Sequence, residues 1–412
     1  MELAESLNRT MKLAMDEGRV QSYQEAVMLF SSFRLRLMVA PGFTSSPGVE
    51  AAILTLLRAA PKTFLGGVEL AGPLHETCTL AWFSGKTLGE VAEGCGVSVS
   101  VSVDVTEAIP TICVGAGAAT ADGFWLGMRM RNDGFTLTPD ISVPSAPEAS
   151  VEAGVAAAGA ALNQAFQHIY RRAPLAGQRE LNFRLPSQAN AEARSQWVIG
   201  LGHLGQAYLW TVMLQRPGRR PAVVRLTDDD KVSASSLSTC LLVDPTDVGK
   251  DKVEAVAQRL EALGVTVVRD PVRLDLNSGV VKSAQSLCIV AVDNLALRRS
   301  LDRIQEAVVL EVGIGDGSEG FTQVQAHVFP GGRLARDVWA GDDSKASRAV
   351  DISKPAYRTL LAESGDECGT TLVAGRSVAT PFVGAFAGAV VARLSASHNL
   401  QVHAWNYDVS SL

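Results

Sequence analysis

Two hydrophobic rhythms alternate along this chain. From residue 197 onward, short apolar runs bounded by glycine or aspartate ("WVIGL", "PAVVRLTD", "VTVVRD", "SLCIVAVD", "AVVLEVGIG") are interleaved with longer segments. In those segments, "KDKVEAVAQRLEALG" and "NLALRRSLDRIQEA", apolar residues recur at helical spacing. The short runs predict strands and the long ones helices, and their alternation predicts an α/β fold with a Rossmann-like, doubly wound parallel sheet. The first half carries a fainter copy. "RLRLMVAPGF", "VSVSVSVDVT" and "GFWLGMRMR" predict strands, and "GVEAAILTLLRAA" predicts a helix. Both halves close on a small-residue helix, "VEAGVAAAGAALNQAFQHIY" (151–170) and "TPFVGAFAGAVVARL" (380–394). This repetition predicts two related halves in a pseudo-twofold arrangement. The stretch between them, from Arg171 to Gln196, is polar with two prolines and reads as a linker.

Composition bounds the picture. At 412 residues the chain is too long for one hydrophobic core. The expected division is 1–180 and 195–412. With 47% hydrophobic and 19% charged residues it is globular rather than disordered. A net charge of −6 argues against nucleic acid or an anionic membrane as partner. "MELAESLNRTMK" has no apolar core of signal-peptide length, and no run is long enough to cross a bilayer, so a cytoplasmic protein is expected. The six cysteines are scattered without a C-x-x-C pair, which argues against a structural zinc site and against a disulfide framework.

Candidate chemistry begins at Gly200, Gly202 and Gly205, a G-x-G-x-x-G between a strand and a helix. The first glycine permits a tight turn, the second lets backbone approach a phosphate, and the third allows close strand–helix packing. A redox dinucleotide site needs one acidic residue after the next strand. Here Asp228, Asp229 and Asp230 stand together, enough for a ribose and a metal ion, since Mg²⁺ prefers carboxylate oxygen beside phosphate.

Downstream the residues become specific. "LTDDDKVSASSLSTCLL", then "DVGKDKVEA", then "VAVDN" resemble the E1-like (ThiF/MoeB-type) adenylating family of ubiquitin activators and sulfur-carrier adenylyltransferases. That family's pattern reads D-x-D-x-V-x-x-S-N-L-x-R-Q, G-x-x-K and D-N. Asp228, Asp230, Val232, Ser235, Leu237, Gly249, Lys252, Asp293 and Asn294 match it in order, and the resemblance covers roughly 195–395. It implies that ATP and Mg²⁺ are used, with Asp228 and Asp230 on the ribose and adjacent groups. It also implies Lys252 on the phosphates, with Lys250 as local competitor, and Asp293 on the metal. The chemistry is consistent: a carboxylate attacking an α-phosphorus needs cations, because both partners are anionic. Departures stand at Ser236, Thr239 and Cys240, where the family has Asn, Arg and Gln, and at His203, where it has a second glycine. Losing the arginine implies either weakened activity or an arginine brought from elsewhere.

The first half lacks this constellation. "CVGAGAAT" offers only Gly115 and Gly117, with Thr120 where a third glycine would stand, so this half is expected to be an inactive adenylation-like domain. "ESGDECGTTLVAGRSVATPF" puts Cys368 in a polar, glycine-rich loop before the closing helix and resembles the thioester-bearing loop of the autophagy E1. A loop suits a residue that must travel to an adenylate. Arg376 or a helix N-terminus would lower its pKa, while Asp366 and Glu367 would raise it. Cys240 is the second candidate. The compact two-half plan resembles the E1 enzymes of bacterial ubiquitin-like (Bil-type) conjugation operons linked to phage defence. The implied function is adenylation of the C-terminal glycine of a ubiquitin-like protein, thioester formation on Cys368 and transfer to an E2-like protein. A homodimer is open. The alternatives are a sulfur-carrier adenylyltransferase without a thioester, a weakened scaffold that binds a ubiquitin-like protein and, disfavoured by the aspartates, Lys252 and Asp293, a nicotinamide-dependent oxidoreductase.

Overall fold

The structure, a computed structural model, describes residues 5–100, 108–115, 123–141, 144–173, 176–186, 195–276, 279–305, 307–315, 317–340, 350–396 and 404–410. An N-terminal arm holds α1 (Lys12–Asp16) and α2 (Tyr23–Phe30). The first half follows: β1 (Arg34–Val39), α3 (Pro47–Ala59), β2 (Gly67–Ala71), α4 (Leu88–Gly94), β3 (Ser98–Ser100), β4 (Thr111–Val114), β5 (Trp125–Arg131), β6 (Gly134–Thr138), α5 (Val151–Tyr170) and β7 (Leu181–Arg184). The second half opens with β8 (Gln196–Ile199), α6 (His203–Leu214), β9 (Val223–Thr227), α7 (Ala234–Leu237), α8 (Lys252–Glu261) and β10 (Thr266–Asp270). It continues with β11 (Val281–Lys282), β12 (Leu287–Val290), α9 (Leu295–Arg299), β13 (Ile304–Gln305), β14 (Val308–Ile314) and β15 (Gln323–Phe329). After these come α10 (Pro355–Ser364), α11 (Glu367–Gly375), α12 (Pro381–Ser395) and β16 (Ala404–Asp408).

The strands form two seven-stranded sheets, β3-β2-β1-β4-β5-β6-β7 and β10-β9-β8-β12-β14-β15-β16. In each, the first five strands run parallel and the last two pairings are antiparallel, so only the sixth strand is reversed. The order is the same in both halves, and α5 and α12 occupy the same place in it, between the last two strands. Packing joins α3 to α5, α5 to α12 and α12 to α6, so the closing helices meet across a pseudo-twofold relation. Their small residues let backbones touch. A Cβ on Gly159 would sit 2.5 Å from the Phe382 carbonyl oxygen, and one on Gly388 2.4 Å from Ala207 backbone.

Two expectations are corrected. The polar stretch 171–196 is not simply a linker, because Leu181–Arg184 pairs antiparallel with β6. Within "LNFR", Phe183 is buried and packs on Phe135, Phe386 and Tyr407, and that contact wins over local polarity. "NLALRRSLDRIQEA" is not one helix. It is α9, then a 3-10 turn from Leu301 to Arg303, then β13 paired with β11, with Leu301 fully buried. Of the expected strand "VSVSVSVDVT", residues 98–100 are β3, and 101–106 lie outside the described residues, as do Gly117 and Thr120. No helix among the described residues is long and apolar enough to cross a membrane.

The insert between β15 and α12, which carries α10 and α11, has no counterpart of that length between β6 and α5. It packs against the N-terminal arm. Thr10 Oγ1 donates to the Ala379 carbonyl at 3.1 Å, and the Tyr357 hydroxyl donates to Asp16.

Candidate active site

Strand ends and helix starts of the second half meet at one cavity of about 730 Å³. After β8 the chain turns at Gly200 with φ +89°, a left-handed conformation that favours glycine. A Cβ there would come within 2.7 Å of the Ala291 carbonyl oxygen, and one on Gly205 within 1.9 Å of the Gly200 carbonyl oxygen. Gly202 caps α6, and a Cβ on it would meet nothing within 4 Å. Gly200 and Gly202 line the cavity, whereas Gly205 sits behind the turn.

Asp228 follows β9, and its carboxylate accepts the backbone N–H of Leu201 at 2.6 Å and of Asp230 at 2.9 Å, tying the glycine turn to the next strand end. Lys252, the first residue of α8, is nearly buried. Its Nζ lies 2.6 Å from Asp230 Oδ2 and 3.6 Å from Asp228 Oδ1. Burial works against the ammonium, but Asp228 and then Asp230 outweigh it and hold its pKa above the usual lysine value. Burial raises the Asp228 carboxyl above its ordinary range in spite of Lys252. One oxygen from each of Asp228, Asp229 and Asp230 lies within 4.8 Å of the others, a donor set suited to a hard cation. Asp293 is exposed on the cavity wall three residues beyond β12, and Asn294 caps α9 by accepting the Leu297 N–H at 2.9 Å. Lys250 pairs with Asp247 at 2.8 Å and does not line the cavity.

Sequence reasoning missed two guanidiniums. Thr239, at the position of the family's arginine, is buried and lines the cavity, but Arg9 and Arg376 reach the same space from distant segments. Arg9 donates from Nε to the Ser377 carbonyl and from Nη2 to its hydroxyl, each at 2.6 Å, and its backbone N–H donates to Ser238 Oγ at 3.2 Å. Burial, and then the charge of Arg376, lowers its pKa. Arg376 Nη2 pairs with Glu5 at 3.1 Å. Arg9 stands near no motif, and Arg376 was marked in the sequence only as a neighbour of Cys368, not as a residue of this cavity. Arg298 lines the cavity as well. It donates to the Val292 carbonyl, next to Asp293, and pairs with the fully buried Glu311, itself 2.8 Å from His327 Nδ1.

Cys368 does not line the cavity. It is an exposed thiol in the first turn of α11, not in a loop, and Asp366 caps that helix by accepting the Gly369 N–H at 2.8 Å. Arg376 caps the opposite end of α11, so it is no neighbour of the thiol. Cys240 does line the cavity, but it is buried against Val232, Val243 and Ala255, and burial raises its pKa.

The BilD N-terminal domain model matches residues 34–185, and the BilD C-terminal domain model matches 193–398. The bacterial E1-like protein BilD of Collimonas sp. (strain OK412) is 30% identical over 410 residues, spanning 93% of this chain and 86% of that protein. Among solved structures, E. coli MccB aligns over 49% of this chain at 14% identity with a TM-score of 0.33, and PaaA over 40% at 19% identity with a TM-score of 0.26. Those alignments span 54% and 56% of the two neighbours' own lengths.

Proposed function

The chain belongs to the BilD family, and from that premise we propose that it is an E1-like enzyme that uses ATP and Mg²⁺ to adenylate the C-terminal carboxylate of a ubiquitin-like protein. The observation that carries this reading is the buried Lys252, paired with Asp228 and Asp230 beside the open Gly202 in a cavity that Arg9 and Arg376 also line. In the reaction a carboxylate oxygen of the carrier forms a bond to the α-phosphorus, the bond to the bridging oxygen breaks, and pyrophosphate leaves. Two anions must meet, so cations fixed in a poorly solvated site lower the barrier. Lys252, Arg9 and Arg376 serve that purpose, and the two guanidiniums stand in for the arginine missing at Thr239. Asp228 and Asp230 receive the ribose and neighbouring groups. Asp293 holds the Mg²⁺, which neutralises phosphate charge when bound.

The first half serves as an inactive partner domain, because the turn equivalent to Gly200–Gly205 follows β1, not β4 where Gly115 stands, and is filled from within. The Gly42 N–H donates to the Glu76 carboxylate at 2.9 Å, and the Gly48 N–H at the start of α3 donates to the Ala149 carbonyl at 3.0 Å. Glu50 accepts the N–H groups of Thr79 and Leu80, drawing a loop over that helix end. Residues 1–180 thus support residues 195–412, with Arg9 as their contribution to the chemistry.

Cys368 then takes the carrier as a thioester, its sulfur bonding to the carrier carbonyl as AMP departs, before transfer to an E2-like protein. Its exposure supports this role. ATP–pyrophosphate exchange with candidate ubiquitin-like proteins tests adenylation. A chain that exchanges but never forms a reducible adduct is a sulfur-carrier adenylyltransferase instead.

A further inference from the structure

Between α7 and α8 the residues from Ser238 to Asp244 form neither helix nor strand, yet Cys240, Leu241, Leu242 and Val243 are buried. Thr239 and Cys240 of this segment line the cavity. Buried irregular backbone leaves carbonyls that no ladder pairs, and each needs a donor from elsewhere. Here the donors come from the first half. Arg58, in the last turn of α3, donates from Nε to the Leu241 carbonyl at 2.7 Å and from Nη2 to the Val243 carbonyl at 2.8 Å. Its Nη1 pairs with Asp244 Oδ1 at 2.6 Å. Lys62, in the 3-10 turn that follows α3, donates to the Leu237 carbonyl. The helix that presents Arg58 is itself anchored: one turn earlier, Thr55 Oγ1 accepts the indole N–H of Trp210 on α6 at 3.0 Å. The segment is also tied to the glycine turn. The Leu242 N–H donates to the side-chain oxygen of the fully buried Gln206 at 2.9 Å, and the Gln206 amide donates to the Leu201 carbonyl at 2.9 Å.

We infer that Arg58 and Lys62 are positioning residues for the site in the second half: by holding the carbonyls of Leu237, Leu241 and Val243 they set where Thr239 and Cys240 stand against a bound nucleotide. This rests on the nucleotide reading of the cavity. Neither side chain lines the cavity, so both act through the backbone they grip. Hydrogen bonds from a charged donor are among the strong ones. The planar guanidinium spans both carbonyls and the Asp244 carboxylate in one fixed geometry, which a single ammonium cannot do. Through Gln206 the same hold reaches the glycine turn, so slack on the first-half side loosens two walls of the cavity at once. The first half therefore acts on the nucleotide twice, with Arg9 at the cavity itself and with Arg58 and Lys62 from behind its wall.

The test is ATP affinity of the full chain by titration calorimetry at pH 7 with Mg²⁺ present, at a temperature where thermal unfolding shows every variant fully folded. Arg58→Met keeps the apolar stem and removes the guanidinium, and is expected to weaken ATP binding about tenfold or more. Arg58→Lys should recover little of that loss. Lys62→Met removes a single bond and should cost about threefold. The contrast is Asn163→Ala. Asn163 of α5 donates to the Val409 carbonyl of the second half at 2.9 Å, an inter-half bond that involves no residue of the segment. Its loss should lower the unfolding temperature and leave ATP affinity at the wild-type value. Wild-type affinity in folded Arg58→Met would overturn the inference while leaving the adenylation reading intact. An equal loss in Asn163→Ala would do the same, by tracing the effect to inter-half stability alone. If Arg58→Met does not fold, Arg58→Lys and Lys62→Met decide, and wild-type affinity in both overturns the inference. Failure of the wild-type chain to bind ATP would instead remove the nucleotide reading, and this inference with it.

Discussion

Arg9 grips Ser377 with two hydrogen bonds of 2.6 Å, one to its carbonyl and one to its hydroxyl, across almost the whole length of the chain. The N-terminal arm is thereby fixed to the end of the insert that carries Cys368, with a guanidinium on the wall of the cavity. In the proposed reaction Arg9 stabilises charge developing on the phosphates. Arg9→Ala should lower carrier-dependent ATP–pyrophosphate exchange about 100-fold, the usual cost of removing one fixed donor from a transition state. Arg9→Lys should recover little, because an ammonium cannot reproduce the two-pronged contact with Ser377. Exchange at the wild-type rate in Arg9→Ala would show that the residue only staples the arm.

Lys252→Ala and Asp293→Ala should each reduce exchange at least about 100-fold. They should differ in stability. Lys252 is buried against Asp228, so its loss leaves a half-paired carboxylate and should cost about 1–3 kcal/mol. Asp293 is exposed and has no ion pair among the described residues, so Asp293→Ala should unfold like the wild type in urea. An active Asp293→Ala variant would move the metal to the Asp228–Asp230 group.

Cys368→Ala should retain pyrophosphate exchange and lose the reducing-agent-sensitive band of enzyme plus carrier on a non-reducing gel. Cys368→Ser should trap an oxyester, because a serine hydroxyl is a slower nucleophile that gives a more stable product. Cys240→Ala should not affect the band, since that thiol is packed among apolar side chains and burial raises its pKa. Loss of the band in Cys240→Ala together with its persistence in Cys368→Ala would reverse the assignment.

Lys62 yields a pH dependence. This lysine of the first half donates to the Leu237 carbonyl at 2.6 Å, capping the helix α7 that lies beside the cavity. Burial, and then the charge of Arg58, lowers its pKa to about 8 from an ordinary 10.5. Between those values the unfolded chain binds more protons at this site than the folded chain, so its contribution to stability rises with pH. Below about pH 8 both states are charged, and the folded state bears the full penalty. Urea unfolding of the wild type and of Lys62→Met at pH 7 and pH 9.5 should therefore diverge. The wild type should gain about 1–3 kcal/mol on the variant over that interval. A constant difference would mean that Lys62 keeps an ordinary pKa.

What the sequence alone determined is local. The ends of β8 and β9, the glycine turn and the start of α8 each span a few residues. The identities of Gly200, Asp228, Lys252 and Asp293 could therefore be read in order, since backbone geometry over such short distances is set by residue type and spacing. The repeated rhythm of strand and helix was legible for the same reason, as were the two closing helices. The two antiparallel pairings ending each sheet were not, because an alternating pattern reports burial on a face and not strand direction. Tertiary structure decided what depends on remote contacts. Phe183 became part of a strand because Phe135, Phe386 and Tyr407 surround it, in a stretch that looks polar by itself. Cys368 came to lie on a helix outside the cavity, apart from Arg376, because Asp366 and the packing of the insert on the arm set that helix. Arg9, Arg376 and His203 meet at one cavity only once the arm, the insert and α12 have packed. Such convergence is fixed by the summed burial of distant elements, a quantity that no local window of sequence contains.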